Sequence, residues 1–289
     1  MRLELAGSLV RPDPVVLKFT SDQDIISDLL DYIELGYTHF DVICIGAGGG
    51  SGGGINTGGA GTLIRSYGGA GGGGGFHRVR GLLSALAENE LCQVIVGAAG
   101  IPGTDHASNP ALTTDGGDGE ASTFNNTTCR ASGGKGGKRV QSNSTSTTTQ
   151  AHGGEGGLGN RTAAGGGAAG GMAGIPSPSG PGTPGTPGTD GSLFSNNVGE
   201  GGGGGAGGVG QYVGLTNNPA TAGGRGSYNP GDTSVYGPGG TPQFDENAGA
   251  INTVPGGASG AKAAPLNGLP TVYGQSSEMG VVILRLTTE

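Results

Sequence analysis

The chain has 289 residues, of which 70 are glycine and 16 proline, with no tryptophan and only 12% charged residues. Glycine averages about 7% in ordinary proteins, so a conventional side-chain core is excluded for much of this length. The net charge of −8 excludes broad electrostatic binding to nucleic acid or an anionic membrane.

The apolar residues gather in residues 3–19, 25–45, 79–96 and 281–286. In residues 3–19, Leu3 and Leu5 alternate with Arg2 and Glu4, and Pro12 and Pro14 block a helix. Both Leu3-Glu4-Leu5 and Val15-Val16-Leu17-Lys18-Phe19 read as strands that a partner would bury. The first residues lack the basic-then-apolar layout of a signal peptide. No run reaches the roughly 18 apolar residues of a transmembrane helix.

A helix is predicted next. Ser21 is placed to cap it, with Asp24 completing a capping box and Asp22 facing the positive end of the helix dipole. Ile25, Leu29 and Ile33 form an i, i+4 row, and Gly36 stands at the C-terminal cap. The strand that follows, residues 37–45, runs straight into a tract dominated by glycine, residues 46–75. A flexible linker does not need a core strand fused to its first residue. Glycine loses the most freedom on ordering, so such a tract orders only if close backbone contacts compensate.

A second helix is predicted over residues 79–88 from Leu82, Leu83 and Leu86, then a strand over 91–96 and a last strand over 281–286. The three apolar strands each border glycine, which suggests one sheet at the root from which glycine-rich chain departs and returns. Between residues 97 and 280 no run is expected to build a conventional core. Residues 142–150 are rich in Ser and Thr, residues 153–174 and 200–210 are glycine tracts, and residues 182–191 carry glycine every third position. That period suits a left-handed threefold helix without internal hydrogen bonds. The expected fold is therefore an α+β root, one or two helices on a small sheet, carrying a glycine-rich body of packed polyglycine II helices and irregular loops. Regular secondary structure should be low. The expected divisions are an extended docking segment, 1–19; a root with the first glycine tract, 20–96; the glycine-rich body, 97–279; and a closing strand, 280–289.

Signals of chemistry are weak. Gly46-Ala47-Gly48-Gly49-Gly50-Ser51 starts like a dinucleotide-binding turn, but Ser51 takes the third glycine position and no helix is predicted after it. Gly133-Gly134-Lys135-Gly136-Gly137-Lys138-Arg139 misses P-loop spacing, with Ser132 and Arg139 at required positions. Arg130, Lys135, Lys138 and Arg139 read as a solvated basic loop. Asp115, Asp118 and Glu120 read as a polar turn, with calcium binding left open. His39, His77, His106 and His152 are scattered, and proximity of Asp105, His106 and Ser108 along the chain does not define a triad. Cys44 and Cys92 lie in apolar runs and should pack as small hydrophobes. The odd cysteine count, with Cys129, suggests no disulfide framework and no zinc site, and a reducing compartment. No catalytic, cofactor-binding or metal residue is assigned.

Residues 36–50, from Gly36-Tyr37-Thr38-His39-Phe40-Asp41 to Gly46-Ala47-Gly48-Gly49-Gly50, resemble the opening segment of glycine-rich minor tail proteins of long-tailed bacteriophages, especially those infecting mycobacteria. Gly280-Val281-Val282-Ile283-Leu284-Arg285-Leu286 resembles the strand that closes the wider phage glycine-rich domain. The resemblance implies a non-enzymatic virion protein, assembled in the host cytoplasm and carried at the distal tail tip. It further implies a homotrimer that contacts other tail-tip proteins and helps attach to the host surface. A dedicated adhesin for a host glycan or lipid is the alternative, with a cell-wall hydrolase behind it.

Overall fold

The computed structural model describes residues 12–59, 62–66, 68–88, 91–106, 109–126, 128–140, 211–212, 277 and 279–288. The predicted strand at residues 3–5 and the tracts at 142–150, 153–174, 182–191 and 200–210 lie outside them. The described residues hold two α-helices and short antiparallel strands in three sheets, so regular structure is sparse.

The root is a four-stranded sheet in the order β1 (Val15–Phe19), β11 (Val281–Thr287), β3 (His39–Ile45) and β6 (Phe76–Leu82). The strands predicted at Val15–Phe19 and at residues 281–286 are present and adjacent. β3 and β11 pair along their whole lengths, from His39 opposite Thr287 to Ile45 opposite Val281. The residue before Gly46 thus faces the residue after Gly280.

Alternation along these strands sends Phe40, Val42, Cys44, Val282, Leu284 and Leu286 to one buried face. On that face lie helix α1 (Ile26–Glu34), through Leu29, and helix α2 (Leu83–Ala87), through Leu83 and Leu86. Each such fully buried side chain stabilises by roughly 1.5–3 kcal/mol.

A second sheet closes the core, in the order β2 (Gln23–Asp24), β7 (Gln93–Ile95), β8 (Ser122–Phe124) and β9 (Cys129–Ala131). Val94, Phe124, Cys129 and Ala131 join the same cluster. The Phe124 ring packs 6.1 Å from that of Phe40. No run between residues 97 and 280 is expected to build a conventional core, yet Phe124, Cys129 and Ala131 from this stretch belong to one. The single-sheet picture is also corrected, because the strand predicted at 91–96 belongs to this second layer.

Three local readings are also revised. Ser21 does not cap α1, whose N-cap is Ile25 with no side-chain bond. Asp24 Oδ1 instead accepts from Ile26 N, the first amide of the helix, and from Cys92 N, each at 3.1 Å, and Asp22 Oδ1 accepts from Val96 N at 2.7 Å. The C-terminal cap is as expected. Gly36 has φ +93°, its amide reaches Ile33 O, and Tyr37 N reaches Tyr32 O, closing the helix end. The helix predicted from 79 begins only at Leu83, because residues 76–82 pair with β3 over seven positions. Finally, the glycine tract 46–75 is interrupted by a hairpin, β4 (Ile55–Gly59) with β5 (Thr62–Ser66), to which β10 (Gln211–Tyr212) adds a third strand. Among the described residues no helix is long and apolar enough to cross a membrane.

Candidate functional site

Five segments without regular secondary structure, residues 46–54, 68–75, 97–106, 113–120 and 132–140, lie side by side beyond the sheet and bond to one another through the main chain. The bonds recur every third residue. Gly46, Gly49 and Gly52 donate to the carbonyls of Gly75, Gly72 and Gly69. Ala47, Gly50 and Gly53 donate to Glu120, Gly117 and Thr114. The same central segment accepts from Gly134, Gly137 and Val140 at Ala47, Gly50 and Gly53, and from Gly100, Gly103 and His106 at Gly48, Ser51 and Gly54. These distances run from 2.7 to 3.2 Å.

The outer segments are bonded in turn. Gly69, Gly72 and Gly75 donate to Lys138, Lys135 and Ser132, and Gly116 and Gly119 to Gly137 and Gly134. Thr114, Gly117 and Glu120 donate to Thr104, Ile101 and Ala98. A β-strand directs its main-chain bonds to two neighbours in one plane. Residues 46–54 bond to four neighbours arranged around them, and every residue of that segment is buried.

Glycine makes this spacing possible. A Cβ at Gly46, Gly49 or Gly52 would overlap the carbonyl of Ser132, Lys135 or Lys138. One at Gly71 or Gly74 would overlap that of Gly49 or Gly46. Ile101, Thr104, Lys135 and Lys138 carry exposed side chains, while Ala47, Ala70, Thr113 and Val140 are buried. Ser51 is fully buried and its Oγ has no hydrogen-bond partner.

The basic loop and the acidic turn of the sequence are two rails of one ladder. Lys135 Nζ bonds Asp118 Oδ2 at 2.7 Å, and Lys138 Nζ bonds Asp115 Oδ2 at 2.9 Å. The other carboxylate oxygens accept from the main chain, Asp118 from Gly136 N and Asp115 from Arg139 N, each at 2.9 Å. Partial burial raises both carboxyl pKa values, but the main-chain bonds and lysine charges outweigh it and leave them below the ordinary 3.8. Arg139 itself caps the carbonyls of Ala111 and Thr113. The basic side chains remain largely exposed, as in a solvated loop, but two of them are paired with the polar turn. Glu120 stands apart, with its Oε2 accepting from Ala98 N at 3.4 Å. Among the described residues no three His, Cys, Asp or Glu side chains converge as a metal site.

The remaining candidates are held separately. In the dinucleotide-like turn, the amides of Gly46, Ala47, Gly49 and Gly50 are taken by neighbouring carbonyls. Those of Gly134, Gly136, Gly137 and Arg139 are likewise committed. Asp105 Oδ1 accepts from Gly54 N, and His106 Nδ1 from Asn109 N; Ser108 and His152 lie outside the described residues. His39 Nδ1 is 2.8 Å from Thr38 Oγ1. His77 is buried, and its Nδ1 accepts from Arg130 N. Cys44, Cys92 and Cys129 are free buried thiols. Burial pushes Cys44 well above the usual thiol value and, helped by the Asp24 charge, Cys92 to about 12.

Sequence reasoning missed the outer face of the root sheet. Asp41 on β3 bonds the guanidinium of Arg78 through both carboxylate oxygens and accepts from Arg80 Nε at 3.0 Å, both arginines being on β6. Burial raises its pKa, and bonding and charge from Arg78, then Arg80, lower it below the ordinary value. The alternation Arg78-Val79-Arg80 was the available signal, hidden by reading this stretch as helix.

Architecture and bonding together define a glycine-packed domain on a small α+β root. The family model described as a glycine-rich domain matches residues 31–287, and the chain belongs to that family. No match was found among curated proteins.

Proposed function

We propose that this chain is a structural minor tail protein of a phage virion, carried at the distal tail tip and contributing to host-surface attachment. The observation that carries the proposal is the three-residue period of main-chain bonds linking residues 46–54 to four neighbours. In this reading the five segments are polyglycine II helices, each a left-handed threefold helix rising about 3.1 Å per residue. Side-by-side packing satisfies their amides and gives a stiff body without a side-chain core. A stiff projecting body suits a particle tip. The opening and closing segments that resemble phage tail proteins are the strands β3 and β11, paired at the root of that body.

Docking falls to the other end. β1 is an edge strand of the root sheet, and Val16 on it is 61% exposed, a surface that a tail neighbour or a second copy in a homotrimer would cover. No cofactor or catalytic role is assigned to the protein, which would assemble into virions in the host cytoplasm.

Purified virions provide the test. The protein should be detected by mass spectrometry of particles and by antibody labelling at the tail tip in electron micrographs. Its absence from particles overturns the proposal. Deleting the gene separates the roles: lost or tailless particles indicate scaffolding, whereas intact particles that fail to adsorb indicate a dedicated adhesin. Turnover of purified cell wall by the isolated protein, lost in His106→Ala, would instead establish a hydrolase.

A further inference from the structure

On the outer face of the root sheet, Arg285, Asp41 and Arg80 lie side by side across β11, β3 and β6 as direct register partners. They line an open cleft of about 380 Å³ together with His39, Thr287 and the Phe40–Gly81 backbone. Asp41 is the acidic member of this row, and its carboxylate is already bonded to Arg78 and to Nε of Arg80. Arg78 and Arg80 thus share one carboxylate, and Arg285 stands opposite Asp41 in the ladder, so arginines outnumber the Asp41 carboxylate across these strands. The terminal nitrogens of Arg80 and the whole guanidinium of Arg285 make no ion pair among the described residues. Arg80 is 68% exposed and Arg285 is exposed, so both can turn toward a ligand without disturbing the core.

We propose that this cleft binds a small oxyanionic ligand, one carboxylate or sulfate group on a body about the size of a single sugar ring. Arginine presents planar paired donors that match such a group. Ligand pockets begin at about 300 Å³, and this cleft is of that order. Thr287 and the His39 ring supply further polar groups at its wall. The charge of the whole chain argues for a small ligand over a polyanion. A net charge of −8 repels extended anions over long range. A compact anion instead meets the two arginines inside a Debye length, about 8 Å at physiological salt. The site is independent of where the protein is assembled.

Titration calorimetry of the full chain with D-glucuronate and with glucose 6-sulfate tests the proposal, with glucose and matched sodium chloride as controls. Saturable binding of either anion, absent for both controls, is expected. If both bind, the oxyanion alone is recognised; if one does, the cleft reads carboxylate or sulfate geometry. Arg80→Gln and Arg285→Gln should each weaken binding about tenfold or more, since a charge-assisted bond is lost. Arg285→Gln should leave the melting temperature unchanged, whereas Arg80→Gln also loses its bond to Asp41 and should lower it slightly. Asp41→Asn, which removes the competing carboxylate, should tighten it. Absence of saturable binding overturns the site. So does heat matched by sodium chloride, or binding that persists in both arginine variants.

Discussion

Gly49 donates its amide hydrogen to the carbonyl of Gly72 at 2.8 Å, and Gly72 passes its own to Lys135 at 2.9 Å. A Cβ on Gly49 would overlap that same Lys135 carbonyl. Bonding and steric exclusion therefore act at one point. Gly49→Ala should destabilise the protein by about 3 kcal/mol, because backbone on both sides must shift to admit the methyl group. Gly36→Ala should cost about 1 kcal/mol, since φ is +93° there but nothing lies within 4 Å. Urea unfolding of the two variants beside the parent checks the contrast.

Amide exchange should follow the bonding pattern. The amides of Ala47, Gly49, Gly50, Gly52 and Gly53 all have main-chain acceptors within a buried segment. They should exchange only by opening of the body, far more slowly than those of an exposed glycine coil. Hydrogen exchange read by NMR measures this directly. Uniformly fast exchange over residues 46–54 would show that the packed body does not form.

The carboxylates give stability a defined dependence on pH. Asp41, Asp115 and Asp118 all have folded pKa values below the ordinary 3.8. Each depressed carboxylate adds stability above its unfolded pKa, and that stability is lost as pH falls through the folded value. The midpoint of urea unfolding should therefore be level near neutrality and decline below about pH 4. The double variant Asp115→Asn, Asp118→Asn should be modestly weaker at pH 7, because the lysine pairs are about half exposed. Its decline with acid should be shallower.

Ser51 should behave unlike its neighbours. Its hydroxyl is buried within the packed segments without a partner, and such a group costs roughly 1–3 kcal/mol. Ser51→Ala keeps the Cβ that the site already accommodates and removes only the oxygen. The variant should raise stability by about 1 kcal/mol, measured by thermal or urea unfolding. A loss of similar size would mean that the hydroxyl is bonded in solution.

Much of the root was legible. β1 and β11 were read from short apolar runs, and Gly36 from the end of the Leu29–Ile33 stripe. The Val79, Leu82, Leu83, Leu86 spacing fits a helix as well as a strand followed by a helix, and only pairing of residues 76–82 with β3 decides. β8 and β9 are three residues each in a polar setting, too short for periodicity. Asn125 and Asn126 between them, both at positive φ, were the usable sign of a tight turn. Packing of the glycine segments was foreshadowed by the strand running into Gly46. Their register was not, because residues without side chains leave no pattern to align.

Phe76 and Val281 flank Ile45 across the sheet, so the chain leaves after Ile45 and twice comes back to the same doorway. Closing a loop costs only logarithmically more as it lengthens. The pairing of β3 with β11 therefore depends only weakly on how many residues separate Ile45 from Val281.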